Sequence, residues 1–135
     1  MHDIEFRGKR IDNGEWVEGY YYKAKYYRTD DELCDYITVP HPKEYNEPSS
    51  HYIVNAETVG QYTGLKDKNG TKIFEGDIVL LKGDEEPYQV AFDESCFQVY
   101  GNSICYVMDN FYDHDIEVIG NIYDNPELLG GDGSA

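Results

Sequence analysis

The chain has 135 residues and is strongly acidic, with 27 aspartates and glutamates against 11 lysines and arginines and a formal net charge of −16. No lysine or arginine follows Lys82. Because neutralisation of phosphates supplies most of the affinity in nucleic-acid binding, this charge argues against direct contact with DNA, RNA or an anionic membrane surface.

Length and apolar content predict one folded domain. A chain of this size buries enough surface to fold without disulfides or metal. We expect a single β-rich domain over residues 1–129, an exposed loop with three prolines at 40–50, and a disordered tail at 130–135. No stretch reaches the roughly 18 apolar residues of a membrane span, and the N-terminal MHDIEFRGKR lacks the apolar core of a secretory signal. We therefore expect a cytoplasmic protein.

The three cysteines, Cys34, Cys96 and Cys105, are odd in number and have no paired spacing. This pattern predicts reduced and mostly packed thiols. If the hairpin around Gly101-Asn102 has a two-residue loop, Cys96 and Cys105 fall diagonally on one sheet face, roughly 7 Å apart. A disulfide there would need distortion, so the reduced state is favoured.

Two hairpins are predicted from Asn-Gly pairs, the preferred centre of a type I′ turn because both central residues need a positive φ. The first turns at Asn13-Gly14 and pairs Ile11 with Trp16, Lys9 with Glu18, and Phe6 with Tyr21. The second turns at Asn69-Gly70 and pairs Asp67 with Lys72 and Leu65 with Phe74. In the pairs named for both hairpins, apolar residues face apolar residues and charged residues face residues of opposite charge, which supports the pairing.

The second half of the chain predicts further strands joined by turns. A break at 75–77 precedes a buried strand at 78–81, strands follow at 88–92 and 116–123, and a third hairpin turns at Gly101-Asn102. That hairpin pairs Val99 with Ile104 and Phe97 with Tyr106. Residues 125–129 read as one helical turn. The fold class is therefore all-β, forming a small twisted barrel or a sandwich.

Three segments of the chain resemble the YopX family of phage and prophage proteins from Gram-positive bacteria. They are IEFRGKRIDNGEWVEGYYY, VGQYTGLKDKNGTKIFEGDIV and EVIGNIYDNPELL, whereas residues 22–52 and 83–115 match the family poorly. The resemblance implies a small phage-encoded protein and brings no catalytic residue, cofactor or substrate with it. Turn and packing roles explain most of the matched residues, among them Gly8, Trp16, Gly19, Gly64, Gly76 and Asp77.

An acidic cluster offers the one candidate metal site, made of Asp109, Asp113, His114, Asp115 and Glu117. Asp113, Asp115 and Glu117 would share one face of a strand, and their oxygens suit Mg²⁺ or Ca²⁺. No basic residue stands near them in sequence to hold a phosphate substrate. A solvated acidic edge is therefore the favoured interpretation, and no motif predicts a cofactor.

Tyrosines are concentrated in the first half of the chain, at Tyr20, Tyr21, Tyr22, Tyr26 and Tyr27. Three consecutive tyrosines on a strand place side chains on both faces, so one face displays large aromatics if the other is core. Tyrosine is enriched at protein interfaces because it combines apolar area with a polar tip. Tyrosine is also common in β-strands for packing reasons alone. From the sequence, an interface role and a purely structural role are equally favoured.

The leading hypothesis from the sequence is a non-enzymatic protein-interaction module that binds a host or phage protein through the tyrosines or the acidic half. The second is a homo-oligomeric structural or accessory component that associates through Tyr20–Tyr22. The third is a metal-dependent hydrolase that uses Asp113, Asp115 and Glu117. Direct nucleic-acid and membrane binding are not expected.

Overall fold

The computed structural model describes residues 5–25, 33–39, 50–93, 95–101, 104–108 and 115–130. Within them the chain forms antiparallel strands and one short α-helix, so the predicted all-β class is confirmed. The chain divides into two compact units, residues 1–61 and 62–135. The expectation of a single domain over 1–129 stays a prediction. Most of the predicted loop and almost all of the predicted tail lie outside the described residues.

The first unit is an antiparallel sheet in the order β4-β3-β2-β1, and β1 also pairs with the start of β5. Its strands are β1 (Phe6–Lys9), β2 (Trp16–Lys25), β3 (Leu33–Val39), β4 (Ser50–Val54) and β5 (Gly60–Lys66), whose last residues belong to the second unit. A 3₁₀ helix at Ala56–Thr58 follows β4. An isolated bridge joins Arg10, in the loop after β1, to Val54.

One face of this sheet carries the core of the first unit. Ile37 and Val54 are 0% and 3% exposed, and Phe6 packs on Tyr21 with ring centroids 5.4 Å apart. Gly19 permits the close approach of β2 and β3, because a Cβ at this position would lie 2.1 Å from the carbonyl oxygen of Thr38. Position 19 therefore needs glycine for space, in agreement with the packing role predicted from the sequence.

The first hairpin turns where predicted, but in a different register. Lys9 pairs with Trp16 and Phe6 with Gly19, so the predicted pairs Ile11–Trp16, Lys9–Glu18 and Phe6–Tyr21 are wrong by two residues. The reason is the turn type. Of its two central residues only Gly14 has a positive φ, 75°, whereas a type I′ turn needs both. A longer loop forms instead and closes with the Arg10 N–H donating to the Glu15 carbonyl.

The second unit contains a five-stranded antiparallel sheet in the order β10-β9-β8-β7-β11. Its further elements are β6 (Lys72–Phe74), β7 (Asp77–Leu81), β8 (Tyr88–Asp93), β9 (Cys96–Gly101), β10 (Ile104–Val107), β11 (Ile116–Asn121) and α1 (Glu127–Gly130). The sheet ends at β10 and β11, so of the two predicted architectures the closed barrel is wrong and the sandwich-like alternative fits. Buried side chains pack on one another from β6 to β11, namely Ile73, Val79, Leu81, Tyr88, Val90, Val99, Met108 and Ile116.

The second hairpin also lacks the predicted type I′ turn. Asp67 N–H donates to the Thr71 carbonyl, which leaves a three-residue loop in which only Gly70 has a positive φ, 81°. Tyr62 rather than Leu65 pairs with Phe74, because the ladder shifts again between Tyr62 and Lys66. The predicted pairs Asp67–Lys72 and Leu65–Phe74 are therefore wrong.

The third hairpin is displaced by two residues from its predicted register. Ile104 pairs with Gly101 and Tyr106 with Val99, where Val99–Ile104 and Phe97–Tyr106 were expected. Cys105 lies opposite Tyr100, so Cys96 is not its diagonal neighbour. The side chain of Gln98 stands between the two thiols. It donates to Cys96 Sγ at 3.4 Å and accepts from Cys105 Sγ at 2.6 Å. All three cysteines are free, but Cys105 is exposed rather than packed.

Candidate functional site

A continuous aromatic surface occupies the face of β2, β3 and β4 opposite the core of the first unit. We call it the tyrosine face and define it by Tyr20, Tyr22, Tyr36, Thr38 and His51. Tyr20 and Tyr22 are 52% and 37% exposed. The strand register sets Tyr20 beside Thr38 and Tyr22 beside Tyr36, and it sets Thr38 beside His51. Three strands thus contribute neighbouring side chains to one surface.

Side-chain contacts hold the tyrosine face in a fixed arrangement. The rings of Tyr22 and Tyr36 stack with centroids 5.0 Å apart and an interplanar angle of 9°. His51 Nδ1 lies 2.8 Å from Thr38 Oγ1 and 3.1 Å from the Tyr22 hydroxyl. The face is therefore ordered before any partner arrives, which lowers the conformational entropy that binding would cost.

Tyr21 does not belong to the tyrosine face. The period of two along β2 turns it to the opposite side, where it packs on Phe6 and donates its hydroxyl to Asp35 Oδ1 at 2.5 Å. Lys23 Nζ lies 4.0 Å from the same carboxylate oxygen. Burial, together with the hydrogen bond and negative charge of Asp35, raises the pKa of Tyr21 to about 12. Tyr26 and Tyr27 lie outside the described residues.

This raised pKa predicts an alkaline limit to stability. A folded pKa above the ordinary 10.0 means that the contribution of Tyr21 is complete below pH 10 and is lost as pH rises toward 12. We expect the wild type to lose stability across this window more steeply than a Tyr21→Phe variant, measured as urea midpoints at successive pH values. Exposed Tyr100 provides the matched control, and Tyr100→Phe should leave the slope unchanged. A wild-type slope equal to that of Tyr21→Phe would contradict the assignment.

Cations flank the tyrosine face on β1. Arg7 lies over the Trp16 ring with its guanidinium carbon 4.6 Å from the ring centroid. Lys9 Nζ lies 5.5 Å from the same centroid. The cation–π attraction fixes these long side chains against the ring. Trp16 thus has a packing role, as its position in the sequence predicted.

A groove runs along the outer edge of β4, beside the loop after β1. It encloses about 420 Å³. We call it the β4 groove, and it is lined by Arg10, Ile11, Asp12, His51, Tyr52 and Ile53. The Arg10 guanidinium lies 4.4 Å from the Tyr52 ring centroid and forms an ion pair with Asp12 at 2.6 Å. Ile11 is 63% exposed at its rim. Sequence reasoning did not find this groove.

The acidic cluster has cationic neighbours that its sequence did not reveal. Lys68 Nζ lies 3.4 Å from Glu117 Oε1. Lys68 and Lys82 also line a cavity of about 350 Å³ together with Asp84, Asp115 and Glu117. The expectation that no basic residue stands nearby is therefore wrong, because the Lys68 N–H donates to the Ile116 carbonyl and the Lys82 N–H donates to the Asp115 carbonyl. Among the described residues, no group of three or more histidines, cysteines or carboxylates is placed to hold a metal ion. The other members of the cluster lie outside them, namely Asp109, Asp113 and His114.

Exposed aromatics also occur in the second unit. Phe92, Tyr100 and Tyr106 are 47%, 43% and 40% exposed. Phe92 packs edge-on against Phe97 with centroids 4.8 Å apart. Tyr100 lies on the opposite sheet face from Phe92, since its register partner is Gln89. These aromatics do not form one stacked surface like the tyrosine face, and they provide comparison positions for it.

These features define a small antiparallel all-β protein with an ordered aromatic face on β2, β3 and β4. The family model described as YopX protein matches residues 5–130, and the chain belongs to the YopX family. The crystal structure of protein EF1440 from Enterococcus faecalis is similar, with 25% sequence identity and a TM-score of 0.53 over 96% of this chain and 99% of that one. No curated protein matches the chain. Among the described residues, no helix is both long and apolar enough to cross a bilayer.

Proposed function

We propose that this chain is a non-enzymatic protein-interaction module, encoded by a phage or prophage, that binds a host or phage protein in the bacterial cytoplasm. The observation that carries the proposal is the tyrosine face. Tyr20 and Tyr22 are 52% and 37% exposed although each carries a large apolar ring. Contiguous exposed aromatic surface of this kind marks interaction sites in soluble proteins.

The chemistry of the face suits a protein partner. Tyrosine rings bury apolar area, and their hydroxyls hydrogen-bond at the rim. Tyr22 is already stacked on Tyr36 and contacts His51, so little side-chain freedom remains to be lost on binding. The net charge of −16 favours a partner with a basic surface and speeds its approach.

Membership of the YopX family supports the proposed phage or prophage origin, since the family resemblance implies proteins encoded by phages of Gram-positive bacteria. The ion pair between Glu117 and Lys68 argues against a metal-dependent hydrolase, because the lysine already neutralises a carboxylate that such a site would need.

Capture from Gram-positive host lysate tests the proposal. We expect the tagged wild-type protein to retain a specific partner at physiological salt, because contacts between apolar rings are little screened by ions. A Tyr20→Ser/Tyr22→Ser variant should lose that partner. The matched control Tyr100→Ser, a tyrosine 43% exposed in the second unit, should keep it. Equal capture by all three proteins would exclude the tyrosine face.

The same face could instead join two copies of the chain, which is the second proposal. Light scattering separates it from the first. Self-association predicts a mass that is a multiple of 15.6 kDa and that falls to the monomer value in Tyr20→Ser/Tyr22→Ser. The acidic charge of each copy opposes this arrangement, so we expect any association to strengthen as salt is added.

A further inference from the structure

The outer edge of β4 is the terminal edge of its sheet, and a piece of the chain's own backbone already pairs with half of it. The sheet order ends at β4. On the outer side, Ile11 N–H donates to the Ile53 carbonyl at 3.1 Å, and Asn55 N–H donates to the Lys9 carbonyl at 2.8 Å. These two bonds frame the bridge between Arg10 and Val54. The C-terminal half of this edge therefore accepts an extended segment in the antiparallel direction.

The other half of the edge begins at His51. In a strand, the N–H and C=O groups of alternate residues point to the same side. Since Ile53 and Asn55 direct theirs outward, His51 does so too. Within the part of the chain that the structure describes, no strand pairs with His51 on this side. Outward-facing strand N–H and C=O groups of this kind are a template for pairing with another backbone.

The β4 groove provides room for such a backbone. Its volume of about 420 Å³ lies along His51, Tyr52 and Ile53 on one side and along Arg10, Ile11 and Asp12 on the other. An added strand sits about 4.8 Å from its neighbour. The exposed side chain of Ile11 offers it an apolar contact. The geometry thus combines a strand edge, a space beside it and an apolar wall.

We propose that the β4 edge binds an extended, basic peptide segment of a partner protein and adds it to the sheet as a further strand. Main-chain hydrogen bonds to His51 would give affinity, and the groove would select side chains. The chain's net charge of −16 favours lysine or arginine in the segment and disfavours a second copy of this chain. The inference rests on the proposed function, because it names a part of the partner, but it uses the backbone edge of β4, which shares only His51 with the tyrosine face.

Substitutions at His51 distinguish the contribution of its backbone N–H from that of its side chain. His51→Pro removes the outward N–H, and proline is tolerated at the edge of a sheet where that group meets solvent. His51→Ala keeps the N–H and removes only the imidazole, so it is the matched control. Tyr20→Ser/Tyr22→Ser alters the tyrosine face and leaves the backbone of β4 unchanged.

The probe is a library of random 12-residue peptides displayed on phage and selected on the full-length protein, after which the strongest binder is synthesised. We expect it to carry basic and β-branched residues, to bind His51→Ala within about twofold of the wild type, and to bind His51→Pro about tenfold more weakly. On the wild-type protein it should shift the amide resonances of His51 and Ile53. If His51→Pro fails to fold, those amide shifts show whether the peptide binds at the β4 edge.

Two results would overturn the proposal: a library that yields no binder, or a binder that treats both His51 variants alike and leaves the His51 and Ile53 amides unshifted. Failure of the proposed function looks different. It appears as partner capture that does not depend on Tyr20 and Tyr22, and it leaves the peptide result unchanged.

Discussion

Replacing Gly19 by alanine is expected to destabilise the protein by about 3 kcal/mol, the upper range for an overpacked position. The added Cβ would lie 2.1 Å from the Thr38 carbonyl oxygen and 2.9 Å from its carbon. Both are backbone atoms, so no side chain can turn aside to relieve the contact. β2 and β3 must move apart, which weakens the pairing that carries the tyrosine face.

Urea unfolding followed by circular dichroism measures this loss. Lys25→Ala, an exposed position on the same strand, is the control and should change stability by less than about 0.5 kcal/mol. A Gly19→Ala midpoint equal to that of the wild type would show that β2 and β3 have freedom to separate.

The second large effect is expected at Asp67, whose carboxylate joins two parts of the second unit. It is 3% exposed. Oδ1 accepts the N–H groups of Asn69 and Thr71 at 2.9 and 2.8 Å, and Oδ2 accepts that of Val118 at 2.9 Å. Asp67→Asn replaces one acceptor by an NH₂ group and leaves a buried donor facing another donor. We expect a loss of about 3 kcal/mol.

Asp67 also predicts a dependence on acid. Burial by itself would raise the pKa of Asp67, but the backbone N–H donors of Val118, Thr71 and Asn69 outweigh it and hold the pKa below its ordinary 3.8. With a folded pKa that is depressed, the stabilisation is present above pH 3.8 and is lost as pH falls through the folded value. The wild type should therefore lose its advantage over Asp67→Asn in strong acid.

Thermal melts between neutral pH and strong acid test this dependence. The control is Glu85→Gln, an exposed carboxylate in the turn after β7, which should follow the wild-type curve. If the difference between the wild type and Asp67→Asn stays constant down to the lowest pH, the depressed pKa is wrong even where the hydrogen bonds are right.

The sequence predicted the class and the turn positions because these depend on local chemistry. Asn13-Gly14 and Asn69-Gly70 do stand at turns. The register depends on which backbone conformation each asparagine adopts, and in both turns only the glycine has a positive φ. Loops with four and three residues result. The two-residue error in the first hairpin keeps each side chain on its face, so Phe6 and Tyr21 still meet. In the second hairpin the register error is an odd number of residues, so it turns the predicted partners to opposite faces of the sheet.

The candidate site was only partly predicted, because its residues come together through strand pairing that the sequence does not specify. Tyr20 and Tyr22 stand out in composition, but their neighbours Tyr36, Thr38 and His51 come from β3 and β4, which sequence analysis did not find. The run Ile37-Thr38-Val39, made of β-branched residues that favour strands, was the available signal. The lysines beside the acidic cluster could not be found this way, because Lys68 and Lys82 are held there by backbone hydrogen bonds to Ile116 and Asp115, which are distant in sequence.

The position of Trp16 gives the molecule a built-in optical reporter. It is the single tryptophan of the chain, and it lies in the first unit against Arg7 and Lys9. Its emission therefore records the environment of one unit, whereas backbone ellipticity records the strands of both. Coincident transitions would show that residues 1–61 and 62–135 melt cooperatively, and separate transitions would assign a stability to each.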